Sequence, residues 1–153
     1  MKKNILTLFI ILLTATIATA QNMNRQKIKL LKTSFITDAI NLTPSEAEKF
    51  WPVYNLHTTK IQKLKFLLEG GIQRDIRLAG GLENLSNNEA QKFVDDVILL
   101  EQQIAQNKVK LIQDLNAIIS PKKMLRLQKA ERDFNRRILQ EYGRRKRMQN
   151  KQN

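Results

Sequence analysis

The stretch "LTPSEAEKFWPVYNLH", Leu42 to His57, decides how the rest of the chain is read. Thr43 stands before Pro44, and Glu46 follows three residues after the threonine. A hydroxyl side chain at the N-cap accepts from an otherwise unpaired helix N–H, and a glutamate at N3 returns the bond. Proline at N1 gives up an N–H that has no partner anyway. A helix therefore starts here. Ala47, Phe50, Tyr54 and His57, continued by Ile61, Leu64 and Leu68, then follow alternating steps of three and four, which is one apolar helix seam. Pro52 falls about two turns in, where it removes a ladder bond and crowds the preceding turn. Because the seam continues past it, the spacing predicts a kink rather than a break, with Phe50 and Trp51 straddling the bend.

The same grammar recurs at Leu85-Ser86-Asn87-Asn88-Glu89-Ala90 and at Ile119-Ser120-Pro121-Lys122-Lys123-Met124. Ser86 and Ser120 read as N-caps, and Glu89 completes a second box. Lys123 occupies N3 of the third motif and puts a cation at the positive end of a helix, so that cap is expected to be weaker. The three starts divide the chain after residue 20 into four helices and make the fold all-α. The first runs from about Arg25 to Ile40 with Ile28, Leu31, Phe35 and Ala39 on one face. The second begins at Pro44. Beyond Gly70-Gly71, the piece Ile72 to Leu78 reads either as a last helical turn or as a loop before Gly80-Gly81. The third, Asn87 to about Ile118, is about 48 Å long at ~1.5 Å per residue. Its seam is Phe93, Val97, Leu100, Ile104, Leu111, Leu115 and Ile118. The fourth starts at Pro121 and carries Leu127, Ala130, Phe134, Ile138 and Tyr142. Gly143 is its expected stop, which leaves 143–153 as a basic, disordered tail.

Residues 1–20 have the pattern of a cleavable export signal: Lys2 and Lys3, an apolar run from Ile5 to Leu13, and Ala18-Thr19-Ala20 before Gln21. The run is shorter than the roughly 20 apolar residues a membrane span needs. The expected mature domain is 21–142, placed in the periplasm. With no cysteine in the sequence, stability must come without disulfides and the chain has no acylation site. The mature chain carries 25 basic and 14 acidic residues, net +11; from Pro121 onward the balance is 12 to 3. Such a charge would suggest nucleic acid in a cytoplasmic protein. Export removes that partner and leaves acidic polypeptides or anionic membrane surfaces.

The third helix has more apolar surface than one neighbour can cover. Val94, Ile98, Ala105, Val109 and Ile112 form a second stripe beside the seam, and a homodimer is the expected way to bury it. A compact four-helix bundle is the competing arrangement.

In layout, the motifs LTPSEAEKF and ISPKKMLRL on a small, cysteine-free helical chain ending ERDFNRRILQEY resemble the Spy/CpxP-like periplasmic proteins with LTxxQ motifs. The resemblance implies a cradle-like antiparallel homodimer with a long kinked hairpin, acting as an ATP-independent chaperone or as an envelope-stress modulator. It also brings in zinc-resistance-associated and metal- or stress-sensing relatives. Leu42, Thr43 and Glu46 match the first motif, Ile119, Ser120 and Lys123 the second. Neither keeps the final glutamine.

Candidate chemistry is sparse. His57 is the only histidine, and its place on a seam suggests a core residue. Asp95 and Asp96 are adjacent, so on a helix they diverge by about 100° and make a poor carboxylate pair. Catalytic and phosphate-binding motifs are missing, and no enzyme, cofactor or metal site is expected. A chaperone needs weak, reversible contacts. Arg126, Arg132, Arg136 and Arg137 are the candidates for attracting acidic segments of a client or the domain of a periplasmic sensor. Attachment of the basic tail to an anionic membrane is a further option, worth about 1 kcal/mol per cation near the surface.

Overall fold

A computed structural model describes residues 26–150. Residues 1–25, which include the expected export signal over 1–20, and residues 151–153 lie outside the described part. Within it the fold is all-α, with four helical rods and no strand. The first rod is α1, residues 26–40. The second comprises α2 (Pro44–Phe66), a π-helical turn (Leu67–Gly71) and α3 (Ile72–Leu78), in unbroken succession. A 3₁₀ turn (Leu82–Asn84) leads to α4 (Asn87–Asn116), and α5 spans Pro121–Gln149.

The described residues form two compact units, one made of Leu42–Met124 and the other of α1 with α5 from Leu125 onward. In the first unit the second rod lies antiparallel to α4. Glu46 meets Lys123 and, further along, His57 meets Asp114, so partners descend as α2 ascends. Phe50, Tyr54, His57 and Ile61 are buried on α2, and Ile104, Asn107 and Leu115 on α4. The two-residue turn at the hairpin end has Gly80 at φ 99° and Gly81 at φ 89°, conformations that a Cβ disfavours.

Pro52 leaves α2 continuous. Around it Phe50 stacks on Tyr54 at 5.3 Å, and Trp51 stands edge-on to both, at 5.0 and 5.4 Å. These three rings pack the turn that contains the missing ladder bond. Further along the rod, a π-helical turn that includes Gly70 and Gly71 interrupts the α-helical ladder. Ile72–Leu78, left open above, is helical.

The second unit departs from expectation in two places. On α1 the buried residues are Ile36 and Ile40, whereas Leu31 is 58 % exposed and Ala39 is exposed. The buried face is set by Ile36 and Ile40, and Lys32, one turn before Ile36, shares it: its stem is sheltered and its ammonium lies 3.8 Å from Glu131 of α5. Lysine stems can cover apolar surface, so a polar reading of Lys32 placed the face one step away. Phe35 packs against Phe134 at 5.7 Å. Leu127, Ala130 and Phe134 of α5 are buried, but Tyr142 is 54 % exposed.

The second correction concerns the end of α5. Gly143 does not stop it; the helix continues through Gly143 to Gln149, so most of the supposed tail is helical. Arg144 bonds Glu141 one turn back at 2.9 Å, and Lys146 and Arg147 lie in the last turn. Cations there face the negative end of the helix dipole, which offsets the cost of one glycine.

Candidate functional site

The three helix starts come first, because they position everything else. Thr43 accepts from the Glu46 N–H at 3.2 Å, and the Glu46 carboxylate accepts from the Thr43 N–H at 2.8 Å. Ser86 and Glu89 repeat the exchange at 3.3 and 2.9 Å, and the Ser86 hydroxyl also donates to Glu89 at 2.6 Å. Leu42 and Leu85, the apolar residues ahead of these caps, are half-buried, and Ile119 is 3 % exposed. At the third start Ser120 accepts from the Lys123 N–H at 3.4 Å, the longest of the three cap bonds.

Lys123 itself does something that its motif does not announce. Its ammonium reaches the carboxylate oxygen of Glu46 that also accepts from Thr43, at 2.5 Å. Bonding to Lys123 first, and to the Thr43 N–H second, holds the Glu46 carboxyl below the ordinary carboxylate range. Hydrogen bonds from Ser86 do the same to Glu89, and the ammonium of Lys129 does it to Asp133. On Lys32 the balance runs the other way: burial lowers its pKa more than Glu131 raises it.

His57 is 8 % exposed, and its Nε2 lies 2.7 Å from Asp114 of α4. This pair holds the two rods in register. Asn107, also 8 % exposed, donates to the Gln103 carbonyl of its own helix at 2.7 Å. Among the described residues no three His, Cys, Asp or Glu side chains come together as metal ligands would.

What remains are surfaces. On α4 the second stripe is open: Val94 is 49 %, Ile98 50 %, Val109 53 % and Ile112 42 % exposed. Near the π-helical turn, Phe66 (71 % exposed) and Leu67 line an open groove with Thr59, Gln62 and Lys63. Leu78 and Leu82, toward the hairpin end, are exposed as well. Sequence reasoning missed this second surface because Phe66 and Leu67 fall between the seam positions Leu64 and Leu68 and belong to no stripe of their own.

The four candidate arginines are all exposed, but the structure does not bring them together as one site. At about 100° per residue, Arg126 and Arg137 fall on one side of α5, and Arg132 and Arg136 on another. Arg136 and Arg137 have intramolecular partners among the described residues. Arg136 bonds Asp133 at 2.9 Å, and the Arg137 guanidinium sits 4.9 Å from the centre of the Phe35 ring. Asp133 also holds Lys129, at 2.6 Å. Among the described residues no helix is long and apolar enough to cross a membrane.

No family model, curated protein or solved structure matches the chain.

Proposed function

We propose that this chain is an exported, homodimeric, ATP-independent chaperone of the Spy/CpxP kind, which holds unfolded polypeptides by reversible contact and performs no covalent chemistry. The observation that carries this reading is the amount of large apolar surface left open on a hairpin whose own core is one seam wide. Phe66 and Leu67 at the groove, with Leu78 and Leu82 toward the hairpin end, are the groups assigned to the client. The open stripe on α4 is assigned to a second copy.

The division of labour is physical. Exposed aromatic and aliphatic groups give weak, adaptable contacts that need no specific sequence in the partner. The cationic fourth helix supplies a long-range field that draws acidic segments in before contact, an effect that salt screens. Release needs no nucleotide, because a client that folds withdraws its own apolar surface.

The test is light scattering from a chemically denatured client diluted into buffer without ATP. Suppression at near-stoichiometric amounts, weakening as salt is raised, is expected. An unchanged aggregation rate at several-fold molar excess removes the proposal.

A further inference from the structure

We infer that the outward side of α5 is a docking surface for an anionic phospholipid bilayer. The observation is a row of side chains on a continuous helix rather than a disordered basic tail. Stepping by three or four residues, and by eight at the end, Leu125, Lys129, Arg132, Arg136, Leu139 and Arg147 share the side opposite the buried Leu127, Ala130 and Phe134. The row extends about 33 Å at ~1.5 Å per residue.

Two features select the partner. The row itself contains no acid; Glu131 and Glu141 fall toward the buried side, and Asp133 lies at the edge, where it holds Lys129 and Arg136. Set among the cations are two leucines that the protein leaves in water, Leu125 at 69 % and Leu139 at 71 % exposure. An acidic polypeptide would satisfy the cations and leave the leucines wet. A bilayer interface takes both, since headgroup phosphates meet the cations and the acyl boundary receives the leucines. A row along one side of an unbroken helix also suits a planar array of repeated charges. This inference is independent of the chaperone assignment, which rests on the hairpin.

The absence of cysteine from the sequence makes a single reporter straightforward. Leu139→Cys in the full chain, labelled with an environment-sensitive dye, is titrated with vesicles of equal parts phosphatidylcholine and phosphatidylglycerol at low salt. Gln106→Cys on α4, an exposed position outside the apolar stripe and labelled in the same way, is the control. The N-terminal apolar segment is common to every variant, so the reading lies in the dependence on position and charge. A blue shift at position 139 is expected, with none at position 106 and none with phosphatidylcholine alone. Adding Arg132→Glu and Arg147→Glu should weaken vesicle binding by more than about tenfold, with unchanged helicity. The inference is overturned by no shift at position 139, by an equal shift at 106 or on neutral vesicles, or by a shift that soluble polyglutamate produces and vesicles do not.

Discussion

Glu46 and Lys123 occupy the same place in two helix-start motifs, the third residue, and their side chains meet at 2.5 Å. The first motif keeps an acid there and the third replaces it with a base, so the departure that weakens one cap creates a tie between two helix starts that lie far apart in sequence.

Acid should therefore loosen the fold. Glu46, Glu89 and Asp133 are each held below their ordinary values of 4.5, 4.5 and 3.8. A carboxyl depressed in the folded state stabilises it above the unfolded pKa and loses that contribution as pH falls through the folded one. The melting temperature is expected to be level from neutral pH to the ordinary carboxylate range and to decline below it. Lys123→Gln should lower the melting temperature at neutral pH, and Glu46→Ala should lower it further, because it also removes the acceptor that caps α2. Equal effects of the two substitutions would show that the cap bond to Thr43 contributes nothing.

The His57–Asp114 contact should matter through the histidine's volume more than through the acid's charge. His57 is buried, whereas the Asp114 side chain is half exposed. His57→Ala leaves a cavity in the seam and is expected to cost about 2 kcal/mol or more in urea unfolding. Asp114→Asn keeps a hydrogen-bonding partner at a wet site and should stay within about 0.5 kcal/mol. An equal loss from Asp114→Asn would contradict this assignment.

Gly143 offers a test of the helical C-terminal segment. A Cβ built there meets nothing within 4 Å. Gly143→Ala should raise far-UV helicity and stabilise the helix by about 0.5–1 kcal/mol. Reduced helicity would mean that α5 does not run through this position.

How far the residues announced these features depends on how local each one is. The seam Phe50–Tyr54–His57–Ile61 was legible because its spacing repeats within one helix and nothing competes with it. The caps at Thr43 and Ser86 were legible for the same reason: donor and acceptor lie three residues apart. The buried side of α1 was not, since Lys32 reads as polar until Glu131, on another helix, accounts for its inward turn. Asp114 and Lys123 were missed as partners because 57 and 77 residues separate them from His57 and Glu46. A glycine followed by clustered cations suggested a loose tail from Gly143 onward; the Glu141–Arg144 pair and the cations of the last turn outweigh the glycine.

The open stripe on α4 is assigned to a second copy of the chain. Light scattering should give twice the chain mass at moderate concentration. Val109→Glu with Ile112→Glu should shift the mass to that of a monomer, since burying two charges in an apolar interface is costly. A monomer for the unaltered chain at every concentration would return the stripe to the pool of client-binding surface.

The central claim is that open apolar side chains on the hairpin grip polypeptides that have lost their structure. Photocrosslinking from position 66 tests it most directly, with a photoreactive phenylalanine analogue replacing Phe66 in the full chain. The account predicts capture of a denatured client without ATP and little capture of the same client once folded. No capture at this position, or equal capture of native and denatured client, would contradict it.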